Sequence, residues 1–303
     1  GWGFVPDWYM KQISETIIAA VEQAVANEEP AILEYGEEEA RDFNSERRDT
    51  YRAAEEQNLA WIRATRASGQ SDDPKDTIAT FAAYAAHPTA NGTNNGVASP
   101  DWVGLFEHSL EERFGGIGLH FMTGLGNMSN RGLGNPANDD KMAALIPALG
   151  SHDDDVAVVA DPDIRTARTT WIQPATNVPL TALGVPGFFD RKFVQQPSHL
   201  ETGEDPSMGQ CVSGSAVSVE VPASAARVGE LAFTAAPGEV FANFTNTIKE
   251  VSRAQWGVKV AFPLAQANDA LGYMPQNFEM NMVGQQGLGF AHLIDREVVP
   301  GLW

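Results

Sequence analysis

His87 is the first residue in this sequence whose type and position suggest chemistry. It follows an apolar run, residues 77–86, and precedes a loop of small polar residues, 88–95. A histidine in such a place can hold a metal ion through its neutral imidazole. The alternative is a hydrogen-bonded structural histidine, which is the more frequent role of a single histidine.

Glu239 and Tyr273 occupy comparable positions later in the chain. Glu239 follows a Pro-Gly turn and precedes a predicted helix, and Tyr273 closes the turn that starts at Asn268. The alternative for Glu239 is an acid favoured by a helix dipole, and for Tyr273 a half-buried turn aromatic. Together with His87 and Asn127, both residues lie where an apolar run ends, so we expect these side chains to converge over one edge of a sheet.

The segments around these residues resemble the neutral ceramidases. The stretches AAHPTANGTNN, GLGNMSN, APGEVF and NDALGYMP occur over residues 80–280. Their order is that of the family's histidine loop, Gly-Asp-x-Ser turn, Pro-Gly-Glu turn and final tyrosine turn. Residues 42–51 are also similar to the family's Asn-Arg-Ser…Tyr stretch.

The resemblance implies that His87, Glu239 and Tyr273 are zinc ligands in a catalytic site. Imidazole, carboxylate and phenolic oxygen are acceptable zinc donors, and catalytic zinc keeps one position open for water. Zinc lowers the pKa of bound water from 15.7 to about 7, which supplies a nucleophile for amide hydrolysis. The expected substrates are ceramide-like lipids or smaller N-acylated amines, and Tyr273 is also expected to stabilise the developing oxyanion.

Two departures from the family pattern concern the same site. The chain has Asn127 where the family has an Asp, while Ser129 is retained and is expected to position substrate. Asn127 and Ser129 therefore join Tyr273 as candidate catalytic residues. The family's early Thr-His-x-His segment does not occur in the sequence. We therefore expect an N-terminal fragment of the same precursor to supply a further histidine ligand, as the second chain of a heterodimer.

Two other functions stay open on the sequence alone. A non-catalytic binding or structural subunit would keep the fold without the reaction, in line with Asn127 and the absent histidine segment. A serine hydrolase would use Ser129 as its nucleophile, although no His-Asp pair stands in a recognisable relation to it. The acidic runs 138–140 and 153–155 suggest Ca²⁺ or Mg²⁺ as a structural ion, for which solvated loops are the alternative.

Composition narrows the classes of protein further. The chain has 303 residues, a net charge of −20 and a single cysteine, Cys211, which leaves no intrachain disulfide. The acidic excess repels phosphate backbones and argues against nucleic-acid binding. No apolar run approaches the ~20 residues that span a bilayer, and no signal peptide is recognisable. An acidic surface suits high salt, so we expect a secreted or periplasmic protein from a saline setting.

Alternating strand and helix patterns predict an α/β (or α+β) fold, with a mixed sheet flanked by helices and a strand-end site. We expect a single catalytic domain over 1–303 that lacks the family's N-terminal strands, with a loop-rich insertion over about 170–216. Helices are predicted at 7–29, with Asp7 as N-cap, at the end of the charged stretch 37–56, and at 241–252. Strands are predicted at 31–35, 77–86, 119–125, 153–160, 217–221, 230–235 and 258–267.

Overall fold

The computed structural model describes residues 6–47, 54–69, 73–92, 95–146, 156–174, 193–195 and 217–274. Within these ranges the chain has a mixed α/β fold, which confirms the predicted class. The helices are α1 (Asp7–Ala26), α2 (Asp101–Phe114), α3 (Pro136–Ala143) and α4 (Ala242–Trp256). The strands are β1 (Ala31–Glu39), β2 (Asn44–Glu46), β3 (Asn58–Arg66), β4 (Thr77–Tyr84), β5 (Ile117–Met122), β6 (Met128–Asn130), β7 (Ala157–Val158), β8 (Ile164–Pro174), β9 (Phe193–Gln195), β10 (Val217–Val228), β11 (Leu231–Ala235), β12 (Glu239–Val240), β13 (Val260–Leu264) and β14 (Tyr273–Met274).

Two larger sheets form the body of the described structure. The first sheet has the order β5-β4-β3-β1-β7, in which the β4–β5 pair is parallel and the other pairs are antiparallel. The second sheet has the order β13-β11-β10-β8, with β9 also paired to β10, and its β11–β13 pair is parallel. The short pairs β12–β14 and β2–β6 are parallel and antiparallel respectively.

Apolar side chains hold these elements together as layers. One buried cluster lies between the first sheet and α2, and includes Trp61 of β3 and Trp102 of the helix. A second cluster lies between the two sheets, where the rings of Phe81 and Phe262 are 5.4 Å apart. Helix α4 packs along β13 of the second sheet. The resulting order of layers is helix, sheet, sheet, helix.

The pleat of β3 explains how one strand serves both of these cores. Leu59 and Trp61 belong to the cluster under α2, whereas Ala60 and Ile62 belong to the cluster between the sheets. This is the two-residue alternation of a strand that is covered on both faces. Opposite Trp61 on β1 stands Gly36, where a Cβ atom would lie 2.7 Å from the indole ring. The cross-strand position therefore requires a residue without a side chain.

Several predicted elements are confirmed. The strand predicted at 77–86 is observed as β4, and the strand predicted at 31–35 is observed as the longer β1. The helix predicted at 241–252 is α4, which ends at Trp256. The strands predicted at 119–125, 217–221, 230–235 and 258–267 correspond to β5, β10, β11 and β13 with shifted bounds.

Other predictions need correction. The loop predicted for the first part of the stretch 37–56 is wrong, because the residues described there form the end of β1, a 3₁₀ turn at Arg41–Phe43 and β2. The helix predicted at the end of this stretch falls largely on residues 48–53, which lie outside the described ranges. Strand β3, helices α2 and α3, and strand β8 carried no prediction. The predicted insertion over 170–216 begins inside β8, and beyond it only β9 falls within the described residues up to 216. The strand predicted at 153–160 is the shorter β7, and residues 153–155 lie outside the description.

Helix α1 stands apart from the layers. It begins after Pro6, with Asp7 in the first turn in place of the predicted N-cap, and none of its residues is buried. Its apolar side chains include Trp8, Ile17 and Val21, each more than half exposed at 65%, 58% and 58%. Among the helices in the described ranges, none combines the length and apolarity needed to cross a membrane.

Candidate metal site at the strand ends

His87, Glu239 and Tyr273 come together in the folded chain. The Nε2 atom of His87 lies 3.0 Å from Oε2 of Glu239 and 3.3 Å from the hydroxyl oxygen of Tyr273. The imidazole is buried, and the glutamate and tyrosine are half-buried. Three groups separated by up to 186 positions therefore converge on one point, as their positions at the ends of apolar runs predicted.

The short strand pairs explain how this convergence arises. Glu239 opens β12 and Tyr273 opens β14, and the two residues are direct partners in the parallel β12–β14 pair. His87 follows β4 and forms an isolated parallel bridge with Ser129 of β6. The turn at Gly272 has a φ of 85°, a left-handed conformation that glycine adopts without strain. Backbone pairing thus places Glu239 beside Tyr273 and His87 beside Ser129.

The hydrogen bonds of His87 determine which of its nitrogens faces the other two groups. The Nδ1 atom lies 3.1 Å from the carbonyl oxygen of Met128, which can only accept, so Nδ1 carries a proton and donates. In a neutral imidazole Nε2 is then an acceptor, and it faces a carboxylate oxygen that is also an acceptor. Two acceptors 3.0 Å apart require a proton, on the imidazole or on the carboxyl group, or a metal cation between them.

This arrangement fits a zinc ion by its donor types and by its separations. Tetrahedral ligands at the usual zinc distances of about 2.0–2.1 Å are about 3.3 Å from one another, close to the 3.0 Å and 3.3 Å observed here. A metal-binding histidine commonly donates its other N–H to a backbone carbonyl, as His87 does to Met128. Among the described residues no group of three or more His, Cys, Asp and Glu side chains forms a metal cluster. The third donor of the set is the tyrosine.

Tyr273 is placed between opposing charges. Desolvation raises the pKa of its hydroxyl above the ordinary value, and the nearby carboxylate of Glu239 acts in the same direction. Arg47 acts in the opposite direction, through a hydrogen bond to the hydroxyl and through its charge. The guanidinium carbon of Arg47 also lies 5.1 Å from the centroid of the Tyr273 ring. Without a metal ion, Tyr273 is therefore a protonated donor at neutral pH.

The main chain of His87 is fixed from three sides. Its N–H donates to the Met128 carbonyl at 3.0 Å, and its own carbonyl accepts from the indole of Trp102 at 3.2 Å and the amide of Asn130 at 3.0 Å. The carboxylate of Asp101 accepts from the backbone N–H of Ala90, at 2.9 Å, and so holds the loop that follows. Helix α2, which begins at Asp101, therefore anchors the histidine.

The predicted catalytic residue Asn127 is fully buried and its side chain is engaged by backbone groups. Its amide donates to the Ala54 carbonyl at 2.9 Å, and its oxygen accepts from the N–H of Ala242 at 2.7 Å. Since Ala242 is the first residue of α4, Asn127 satisfies a helix N–H that has no partner within the helix. In the structure the Asn127 side chain thus links the segment at Ala54 to the start of α4. Its catalytic role stays a prediction.

Ser129 is half-buried and lies beside His87. It is the register partner of Ser45 in the β2–β6 pair and of His87 in the isolated bridge. Both ring nitrogens of His87 point at other groups, namely Met128 on one side and Glu239 with Tyr273 on the other. The imidazole therefore does not serve as a base for Ser129, and substrate positioning by this serine stays a prediction.

A buried carboxylate supports the turn that carries Asn127. Glu56 is 1% exposed and accepts from the N–H of Gly124 at 2.9 Å and from the hydroxyl of Thr245. Its other oxygen lies 2.6 Å from Nζ of Lys249, which is 4% exposed. Because Thr245 and Lys249 belong to α4, this network ties that helix to the turn before β6 and to the segment before β3.

Asp139 is a second buried acid, in α3 near the loop that follows His87. It accepts from the N–H of Gly134 at 3.2 Å, and its other oxygen has no hydrogen-bond partner in the part of the chain that the structure describes. Burial raises its pKa to about 6, and the charge of Asp101 adds to the rise. Residues 138–140, a predicted ion site, thus lie within α3. Among the described residues they do not form part of a metal cluster.

Asp139→Asn is expected to stabilise the protein above pH 6 by about 1–3 kcal/mol. The raised pKa means that the folded state binds the proton more tightly than the unfolded state, whose pKa is near 3.8, so ionisation costs stability above pH 6. The gain should shrink as the pH falls from 6 towards 4. Urea unfolding at pH 7.5 and pH 4 measures it, with the exposed neighbour Asp140→Asn as control. A loss of stability at pH 7.5 would contradict the prediction.

Three residues around the site escaped the sequence analysis. Asp101 had a recognisable signal, because Ser-Pro-Asp before an apolar periodic segment is typical of a helix start. Arg47 and Glu56 had none, since each is defined by contacts with residues more than 60 positions away. Their contribution is visible only in the folded chain.

The structure is that of an α/β protein with His87, Glu239 and Tyr273 gathered at its strand ends, and solved structures with a similar fold exist. The structure is similar to that of neutral ceramidase from Pseudomonas aeruginosa, with a TM-score of 0.57, 16% identity, and coverage of 90% of this chain and 50% of that chain. A ceramidase complexed with C2 matches with the same TM-score and identity over 88% of this chain and 50% of the other. The chain thus spans about half the length of these ceramidases. No protein-family profile and no curated protein matches the sequence.

Proposed function

We propose that the protein is a zinc-dependent hydrolase that cleaves an N-acyl amide bond. The observation that supports this most directly is the acceptor nitrogen of His87 facing the Glu239 carboxylate at 3.0 Å with the Tyr273 hydroxyl at 3.3 Å. A metal cation between these groups would satisfy all of them at once. The fold similarity to ceramidases supports the same reaction class.

The residues of the site have distinct proposed roles. His87, Glu239 and Tyr273 would hold zinc, which when bound supplies Lewis acidity towards the amide carbonyl and an activated water. The Met128 carbonyl keeps the His87 proton on Nδ1, so that Nε2 is available as a donor atom. The Tyr273 hydroxyl is placed to donate a hydrogen bond to the substrate oxygen as negative charge develops there. Ser129, beside the site, would orient the substrate.

The proposed substrate class follows from the structural neighbours and from the site. Both neighbours are named as ceramidases, so we propose a ceramide-like lipid or a smaller N-acylated amine for this chain. The secreted or periplasmic, saline setting suggested by the charge of −20 stays a prediction.

We also propose that further polypeptide packs against the described layers and supplies a histidine ligand. Exposed apolar side chains support this partner. They line α1, as described above, and they alternate along the edge strand β5, where Ile117, Leu119 and Phe121 are 57%, 40% and 44% exposed. Apolar faces of this kind usually mark surfaces that another segment covers. An N-terminal fragment of the same precursor is the proposed partner.

A metal-free alternative is a binding or structural subunit. In that case His87 carries a second proton and forms an ion pair with Glu239, which satisfies the same 3.0 Å contact. This alternative predicts a folded protein without stoichiometric zinc.

Metal analysis and hydrolysis assays test the proposal together. We expect about one zinc per chain and amide hydrolysis that a zinc chelator abolishes and added zinc restores, with intact-mass analysis identifying the polypeptides in the active sample. Activity that survives chelation and disappears in Ser129→Ala would favour the serine hydrolase. A folded protein without zinc and without hydrolysis would favour the binding subunit.

A further inference from the structure

Arg47 is the cationic side chain that borders the three metal-donor groups. It directly follows β2, and its backbone N–H donates to the carbonyl of Asn127 at 2.9 Å, so its position is tied to the turn beside the site. Its guanidinium carbon is 5.1 Å from the centre of the Tyr273 ring, and it hydrogen-bonds the tyrosine hydroxyl. The residue as a whole is exposed. A charged group is therefore held at the mouth of the site.

The charge of Arg47 is unusual in its surroundings. The whole chain carries −20, and Arg47 acts on the hydroxyl of Tyr273 from beside the carboxylate of Glu239, which contacts the same hydroxyl. Arg41, Arg63 and Arg253 each pair with a glutamate. A guanidinium held beside an aromatic ring can still direct its N–H fork towards a planar anion. Arg47 thus has the geometry of a ligand-binding cation.

We infer that Arg47 binds a carboxylate on the amine side of the substrate, so that N-acyl amino acids are preferred over uncharged N-acyl amines. This inference rests on the proposed amide hydrolysis. In an N-acyl α-amino acid the carboxylate carbon is about 3–4 Å from the scissile carbonyl carbon, so a carbonyl bound at the Tyr273 hydroxyl would bring this carboxylate towards the guanidinium beside that hydroxyl. An uncharged amine part would leave this cation without a partner in the substrate.

The reaction balances with water as the only co-reactant. The water oxygen forms a bond to the acyl carbon, the carbon–nitrogen bond breaks, and the amine nitrogen takes up a proton from that water. The products are a carboxylic acid and a free amino acid. Arg47 would take part by binding and orienting the amino acid carboxylate through two parallel N–H bonds.

A matched pair of substrates tests the inference. N-octanoylglycine and N-octanoylglycinamide differ in charge but hardly in shape. The wild-type protein is expected to favour the glycine compound in kcat/KM, and Arg47→Gln is expected to lower that preference about 10- to 100-fold. Arg47→Lys should recover part of it, because it keeps the charge but loses the fork. Arg165→Gln should leave the preference unchanged, because it removes an exposed arginine of β8 whose partner is Asp163.

The outcomes separate this inference from the proposed function. Hydrolysis of both substrates with a preference that Arg47→Gln does not alter would overturn the inference and leave the proposed function standing. If neither substrate is hydrolysed in the presence of zinc while a short-chain ceramide is, the inference is overturned and the proposed function stands. If none of the three is hydrolysed, the proposed function fails, and calorimetric binding of the two octanoyl compounds then decides the inference. Tighter binding of N-octanoylglycine that is lost in Arg47→Gln supports it, and equal binding of both compounds overturns it.

Discussion

His87→Ala is expected to lower bound zinc from about one atom per chain to less than about a tenth, and to reduce amide hydrolysis about a thousandfold or more, ~4 kcal/mol in activation free energy. The reason is geometric. Nε2 of His87 is the atom that lies within 3.3 Å of both Glu239 and Tyr273, so its removal leaves two oxygen donors without the nitrogen between them. Zinc content by mass spectrometry and kcat/KM on an N-acyl amide measure the two effects.

His108→Ala is the matched control for this variant. The His108 side chain is 66% exposed on α2 and faces two glutamates of the same helix, at 3.0 Å from Glu112 and 3.8 Å from Glu111. It should retain zinc and activity within about twofold, as a surface change costs little. If His87→Ala keeps its zinc and its activity while remaining folded, the three donor groups are not a metal site.

Lys249→Met is expected to destabilise the protein by about 3–5 kcal/mol, because it leaves a buried charge without its partner. Glu56 is 1% exposed, and its oxygen lies 2.6 Å from the lysine nitrogen. The same nitrogen is 3.6 Å from Glu37, which keeps its pair with Arg253, so the substitution leaves Glu56 as the uncompensated carboxylate in the interior. Urea unfolding at pH 7 measures the loss of free energy. Adding Glu56→Gln to the same chain should restore part of it, because the amide is neutral and still accepts hydrogen bonds.

Lys11→Met is the control for the loss of a lysine charge. Lys11 and Glu15 form an exposed pair on α1, with the two atoms 3.5 Å apart and side chains 75% and 64% exposed. Solvent screens such a pair, so the change should stay within about 0.5 kcal/mol. Equal effects of Lys249→Met and Lys11→Met would show that the buried network contributes little to stability.

Much of the fold could be predicted because its strongest signals are local. Strand β4 follows from an uninterrupted apolar and small run, and α4 from a helical pattern after a Pro-Gly turn. Strand β3 could not be predicted in the same way. It places Arg63 in a buried position, where a charge contradicts a core strand until its partner Glu34 on β1 is known. A pairing across 29 positions is not visible in a local window.

The stretch 37–56 shows the same limit. Its many charges indicate a solvated loop and helix by local criteria. In the folded chain Glu56 is buried against Lys249, and Glu37 pairs with Arg253. The two cations belong to α4. Glu56 is buried and Glu37 half-buried because cations some two hundred positions later neutralise them. Charge therefore predicts exposure only where no distant partner exists.

For the site, the sequence by itself determined the chemical types of the donor groups and their place at the ends of apolar runs. It determined this for His87, Glu239 and Tyr273, because residue identity and local periodicity can be read directly from the chain. Only the tertiary structure decided that the three meet, since the distance between His87 and Glu239, 152 positions apart, depends on how β12, β14 and β6 pair. It also decided that Arg47 borders them, because a contact between distant segments is a property of packing and leaves no trace in local pattern.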